Sequence, residues 1–123
     1  MAQARKEKRL IRLSEICLSL PRATRESKNE HAAFLVGKKV FAYYLDDHHG
    51  DGIVSVCCKV LAGENKFLVD ANPEKFYMPA YIASRGWVGL RLDLPKVDWT
   101  EVKELVRGSY MQIAPARLAA LVE

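Results

Sequence analysis

The stretch Gly86-Trp87-Val88-Gly89-Leu90-Arg91-Leu92-Asp93 alternates without a break, and Phe76-Tyr77-Met78-Pro79-Ala80-Tyr81 precedes it. Successive side chains of a strand point to opposite faces. Val88, Leu90 and Leu92 therefore share one face, which needs a core. Trp87, Gly89, Arg91 and Asp93 share the other. An indole, a glycine and a guanidinium do not make an ordinary solvated face, and such a face on a sheet commonly touches something. Two readings of Trp87 are open: a contact surface, or cover by a neighbouring loop or by Tyr81.

The segments on either side complete the pattern. Phe76 to Tyr81 and Gly86 to Asp93 form a hairpin bridged by Ile82-Ala83-Ser84-Arg85, with Pro79 at an edge or in the turn. Upstream lie three more strands: His31 to Val36, Lys39 to Asp46 after the Gly37-Lys38 turn, and Ile53 to Lys59. In the second of these Phe41, Tyr43 and Leu45 are expected on one face, and Tyr44 with Val40 and Ala42 on the other. Asp46 to Gly52 reads as a hairpin tip rich in turn formers. Residues 22–30 are polar and read as a connection.

Helices fill the rest. Leu10, Leu13, Cys17 and Leu20 recur at helical spacing over Arg5 to Leu20, and Pro21 stops the run. A short helix spans about Ala62 to Ala71. Asp98 with Glu101 reads as a capping box for a helix burying Val102, Leu105 and Val106, and Ala114-Pro115 opens a last short one. The expected architecture is a two-layer α+β domain over residues 1–123. A five-stranded antiparallel sheet has its helices packed on one face, in the order α-β-β-β-α-β-β-α-α.

An apolar content of 50% and a charged content of 28% are those of a soluble globule able to bury its own core. The apolar runs are too short for a membrane span, and no signal-peptide pattern follows the basic start. Three cysteines, Cys17, Cys57 and the adjacent Cys58, do not make a disulfide framework, so a cytoplasmic location is the default. The net charge of +4 lies in the first twelve residues, where Arg5, Lys6, Lys8, Arg9 and Arg12 face only Glu7. The remainder carries fourteen basic and fourteen acidic residues. A phosphate partner would thus meet local cations and not a wholly basic domain.

Several phrases together resemble the MmcQ/YjbR family over nearly the whole chain. They are Leu20-Pro21, then His31 with Phe34-Leu35-Val36-Gly37-Lys38-Lys39-Val40-Phe41-Ala42, then Phe76 to Tyr81, Gly86-Trp87-Val88 and Ser109-Tyr110. The resemblance implies an antiparallel sheet with helices on one side, similar to frataxin-like and secretion-chaperone-like arrangements and described as a double-wing motif. It also implies the family's label of DNA-binding proteins, a label that rests on fold, which does not fix function. The chain differs from that pattern in carrying His48-His49 in the first hairpin loop and in crowding its basic residues at the N-terminus.

On this reading Lys38, Lys39, Arg85, Trp87 and Arg91 are the candidate nucleic-acid contacts. Loops 46–52 and 81–86 would be the wings. Arg85 beside Tyr81 and Trp87 joins a cation to stacking aromatics, whereas Asp46, Asp47 and Asp51 make the first loop repel phosphate. The alternative is a protein- or small-ligand-binding module, or a homodimer, that uses Tyr44, Tyr81 and Trp87 on the open sheet face. His48 and His49 are adjacent, point apart on an extended chain, and predict no metal site. Cys57 is the thiol expected to be exposed, and Glu26, Glu30 and His31 are the remaining acid–base candidates. No nucleophile-and-base arrangement and no glycine-rich phosphate loop is present, so neither catalysis nor a cofactor is expected.

Overall fold

The computed structural model describes residues 2–28, 31–47 and 50–122. In chain order the elements are α1 (Ala2–Leu18), β1 (Ala23–Lys28), β2 (His31–Val36), β3 (Lys39–Asp46), β4 (Val54–Lys59), α2 (Glu64–Ala71), β5 (Phe76–Tyr77), β6 (Trp87–Arg91), α3 (Trp99–Ile113) and α4 (Ala116–Ala119). A short 3₁₀ helix at Ala83–Arg85 precedes β6. The strands form one antiparallel sheet in the order β1-β2-β3-β4-β6-β5.

The sheet has six strands, not five. The missed one is β1, which lies in the segment read as a connection. It pairs with β2 from Ala23↔Val36 to Lys28↔His31. As an edge strand it takes main-chain bonds from one side only, and from Thr24 to Lys28 every side chain is exposed. No apolar alternation is needed there, so the pattern that betrays a strand is missing. Arg25 ties this edge to α1 by donating to Ser27 Oγ (2.9 Å) and Ser14 Oγ (3.0 Å).

The helix-side core takes Leu13 and Cys17 from α1 and Val102, Val106 and Tyr110 from α3. From the sheet it takes Phe34, Val56, Cys58, Val88 and Leu90, together with Leu92 just beyond β6. The alternation at Val88, Leu90 and Leu92 thus points where its spacing says. Asp98 caps α3 by accepting from the Thr100 and Glu101 amides. The reciprocal half of the expected capping box is absent: the Glu101 carboxylate takes Lys75 Nζ at 2.9 Å and 3.2 Å instead.

Strand β3 departs from the expected parity. Phe34 pairs with Ala42 and Leu35 with Val40, so Phe41 is the extra residue of a bulge. Phe41 and Ala42 both enter the helix-side core, and every later side chain of β3 changes face. Tyr43 and Leu45 go to the open face with Trp87, while Tyr44 is 2% exposed beneath the helices. The bulge also frees the Phe41 carbonyl. The fully buried Ser109 of α3 donates to it at 2.6 Å and accepts the Lys59 amide at 3.0 Å.

Candidate nucleic-acid interface

The ladder registers bring five cations to one end of the sheet, while Lys28, Lys75 and Arg91 lie with four carboxylates toward the other. At one end lie Arg22 just before β1, Lys38 and Lys39 at the β2–β3 turn, Lys59 at the close of β4 and Arg85 just before β6. At the other lie Asp46, Asp47 and Asp51 around the β3–β4 loop and Asp93 after β6. The ion pairs formed among the described residues are Lys75–Glu101, Arg91–Asp93 and Arg107–Glu104. The five cations of the basic end take no part in them. From β1 to β6 the row crosses four strand spacings, on the order of 19 Å.

Each end is built by local backbone chemistry. Gly37, at φ +63°, makes the tight turn that presents Lys38 and Lys39. The loop before β6 is held from beneath by the buried Asn65, whose Nδ2 donates to the carbonyls of Ala83 (2.9 Å) and Trp87 (3.1 Å). Above that anchor Tyr81 is 79% exposed at φ +71°, a strained setting for an aromatic residue. Arg85 is exposed in the same loop. At the acidic end Asp47 accepts from Gly52 N (2.7 Å) and Asp51 from Ile53 N (2.9 Å). Those carboxylates serve their own turn.

Of the residues expected to bind, Lys38, Lys39, Arg85 and Tyr81 are exposed at the basic end or in its loop. Trp87 is only 8% exposed, with Tyr43 against it on the open face (ring centroids 5.4 Å apart) and Ile82 packed on the same cluster. Tyr44 lies on the opposite face, turned there by the bulge. Arg91 sits toward the acidic end and is engaged by Asp93 through two bonds of 2.9 Å and 3.1 Å. Burial works against the Asp93 charge, but the guanidinium and the Val54 amide hold its carboxyl below the usual range. Loops 46–52 and 81–86 stand at opposite ends of β4, so they cannot close on one ligand as paired wings. Arg22 and Lys59 carry no sequence signal of their own; only the strand register brings them to this row. Helix α1 runs into β1 at the basic end, so the basic segment of residues 5–12 extends away from it. There Arg12 sits over the Trp99 ring, 4.8 Å from its centroid.

The thiols are not nucleophiles. Cys57, expected outside, is fully buried with Cys17 and Cys58. Burial pushes all three up, Cys57 to about 11. Ellman's reagent at pH 8 is expected to find no thiol in the native protein and three after unfolding; rapid native reaction at Cys57 would refute this. His31 Nδ1 accepts the Asp46 amide at 3.2 Å. His48, His49 and Glu30 lie outside the described residues, among which no group of three His, Cys, Asp or Glu is placed to hold a metal. No described helix is long and apolar enough to cross a membrane.

Comparison with known proteins agrees with the fold. No curated protein matches the chain. The crystal structure of Deinococcus radiodurans protein DR2400, a DUF419-domain protein, is similar with a TM-score of 0.69 at 22% identity. The match covers 89% of this chain and 84% of that one. The YjbR family model matches residues 18–112, from the close of α1 almost to the end of α3, and the chain belongs to that family.

Proposed function

We propose that the chain is a non-enzymatic DNA-binding protein whose contact surface is the basic end of its sheet. Lys38, Lys39, Lys59 and Arg85 meet backbone phosphates, and Tyr81 offers a ring on which an unpaired base stacks. The observation that carries this reading is the segregation of charge: five cations without carboxylate partners among the described residues stand at one end, and Asp46, Asp47, Asp51 and Asp93 at the other. The carboxylates at the far end are partly offset by Lys28, Lys75 and Arg91, so the row of five cations is what attracts a polyanion. A row of about 19 Å is long enough to meet several successive backbone phosphates.

The test is titration of labelled duplex and single-stranded DNA at several salt concentrations. Three or four phosphate contacts give a log–log salt slope of about −3. Lys38→Glu with Lys39→Glu is expected to make that slope shallower by about 2. No binding at ~50 mM salt would end the reading. Binding indifferent to the double charge reversal would move the contact elsewhere, with the basic start of α1 as the next candidate. A competing reading, a protein contact on the open sheet face, draws on a hollow of about 620 Å³ beside the exposed edge strand, lined by Glu26, Lys28, His31, Ala33 and Tyr43. Trp87, being covered, is not an anchor in either reading.

A further inference from the structure

Two cavities adjoin on the helix side of the basic end. One, about 460 Å³, lies between α2 and α3 and is lined by Val60, Leu61, Leu68, Phe76, Leu105 and Met111. The other, about 400 Å³, lies between the start of α2 and the loop before β6, where Gly63, Ser84, Arg85 and Gly86 line it. Lys59, Val60, Leu61 and Gln112 wall both, so the two are compartments of one cleft. Each is within the size range of small-molecule sites.

The compartments differ in chemistry. The first is mostly apolar, and the three carboxylates that also line it have partners. Glu101 and Glu104 are engaged by Lys75 and Arg107, and Glu64 accepts the Leu61 amide at 3.1 Å. The second is lined by Arg85, Ser84 and Lys59, with Gln112 Nε2 donating to the Lys59 carbonyl at 3.0 Å, and neither cation has a carboxylate partner among the described residues. A further observation concerns Gly108. It sits inside the 15-residue helix α3, where glycine is unfavourable, and it lines the apolar compartment. Packing does not demand it, since a Cβ there would meet nothing within 4 Å. A side chain at this position would project into the cleft.

We infer that the cleft binds a small amphiphilic anion, its apolar body between α2 and α3 and its anionic head against Arg85 and Lys59. The carboxylates of the first compartment disfavour the reverse orientation. The inference does not depend on the DNA reading, and its test contains no nucleic acid.

Octyl phosphate, butyl phosphate, inorganic phosphate and octanol are titrated separately by calorimetry below micelle-forming concentrations, with amide spectra recorded in parallel. Affinity is expected to rise about fourfold for each methylene between butyl and octyl phosphate. The amide signals of Gly63, Gly86 and Gly108, one or more in each compartment, are expected to shift. Gly108→Leu fills the apolar compartment while favouring the helix, and should abolish the chain-length gain. Arg85→Gln should weaken octyl phosphate about tenfold and leave octanol unchanged. Octyl phosphate binding no tighter than butyl phosphate overturns the inference. So does octanol binding as tightly as octyl phosphate, or a Gly108→Leu protein that binds as the parent does.

Discussion

Replacing Ser109 with alanine is expected to lower the unfolding free energy by about 3 kcal/mol. The Ser109 hydroxyl bridges the Phe41 carbonyl and the Lys59 amide at a fully buried position. The two groups face each other one step beyond the Ala42↔Cys58 pair, and the hydroxyl is inserted where the ladder opens at the bulge. An unpaired buried backbone group costs about 1–3 kcal/mol, and the substitution leaves two. Ser109→Cys keeps the volume with a weaker donor and should recover part of the loss. Ser14→Ala is the contrasting case, since its partner Arg25 is exposed and still reaches Ser27. It should cost well under 1 kcal/mol. Urea unfolding with an unchanged slope is the measurement. A Ser109→Ala protein within ~0.5 kcal/mol of the parent would mean that the bulge finds another partner.

This bridge bears on what the family phrases mean. Ser109-Tyr110 and Leu20-Pro21 are far apart in sequence, yet the Tyr110 hydroxyl donates to the Pro21 carbonyl at 2.6 Å. The Tyr110 ring also meets Phe41 edge-on at 5.2 Å. The residues that reveal the family thus close α1, fasten α3 to the sheet and fix the bulge. Leu20, Pro21, Ser109 and Tyr110 act on the fold, whereas Lys38, Lys39 and Tyr81 of the same phrases are exposed. The fold is therefore easier to read from the chain than the site.

The parts that were legible have one-dimensional signals. Leu13 and Cys17 repeat at helical spacing, Val88, Leu90 and Leu92 at strand spacing, and Asp98 stands where an orphan helix N-terminus needs an acceptor. The parts that were not legible depend on a second segment. Strand β1 is polar because only one side of it is paired. Tyr44 changes face because Phe41 adds a residue, and parity counted along β3 cannot register an insertion. Arg91 looks available until Asp93 folds back on it, and Trp87 looks exposed until Tyr43 and Ile82 cover it. Lys59 and Arg22 join the basic row only through cross-strand register.

Gly89 shows the same dependence, and its substitution should be as costly as that of Ser109. On the open face Gly89 pairs with Tyr77, whose ring folds back across it so that its hydroxyl meets Ser55 Oγ at 2.6 Å. A Cβ on Gly89 would lie 2.6 Å from Tyr77 Cζ and 2.7 Å from Cδ1, and closer still to Cε1. Real carbon atoms do not approach so near, and these are middle atoms of a rigid ring. Gly89→Ala must therefore expel the ring, strand the fully buried Ser55 hydroxyl and open the strip beside Cys57. Overpacking of this kind and the lost hydrogen bond each cost about 1–3 kcal/mol, so a loss of about 3 kcal/mol is expected. Tyr77→Ala alone should cost a similar amount through lost ring burial and the same stranded hydroxyl. The two losses should not add: once the ring is gone, alanine fits a strand better than glycine does. The double variant should match Tyr77→Ala to within ~0.5 kcal/mol, a coupling of about 3 kcal/mol between directly packed residues. Additive losses would mean that Gly89 is required by its own backbone and not by the ring that lies across it.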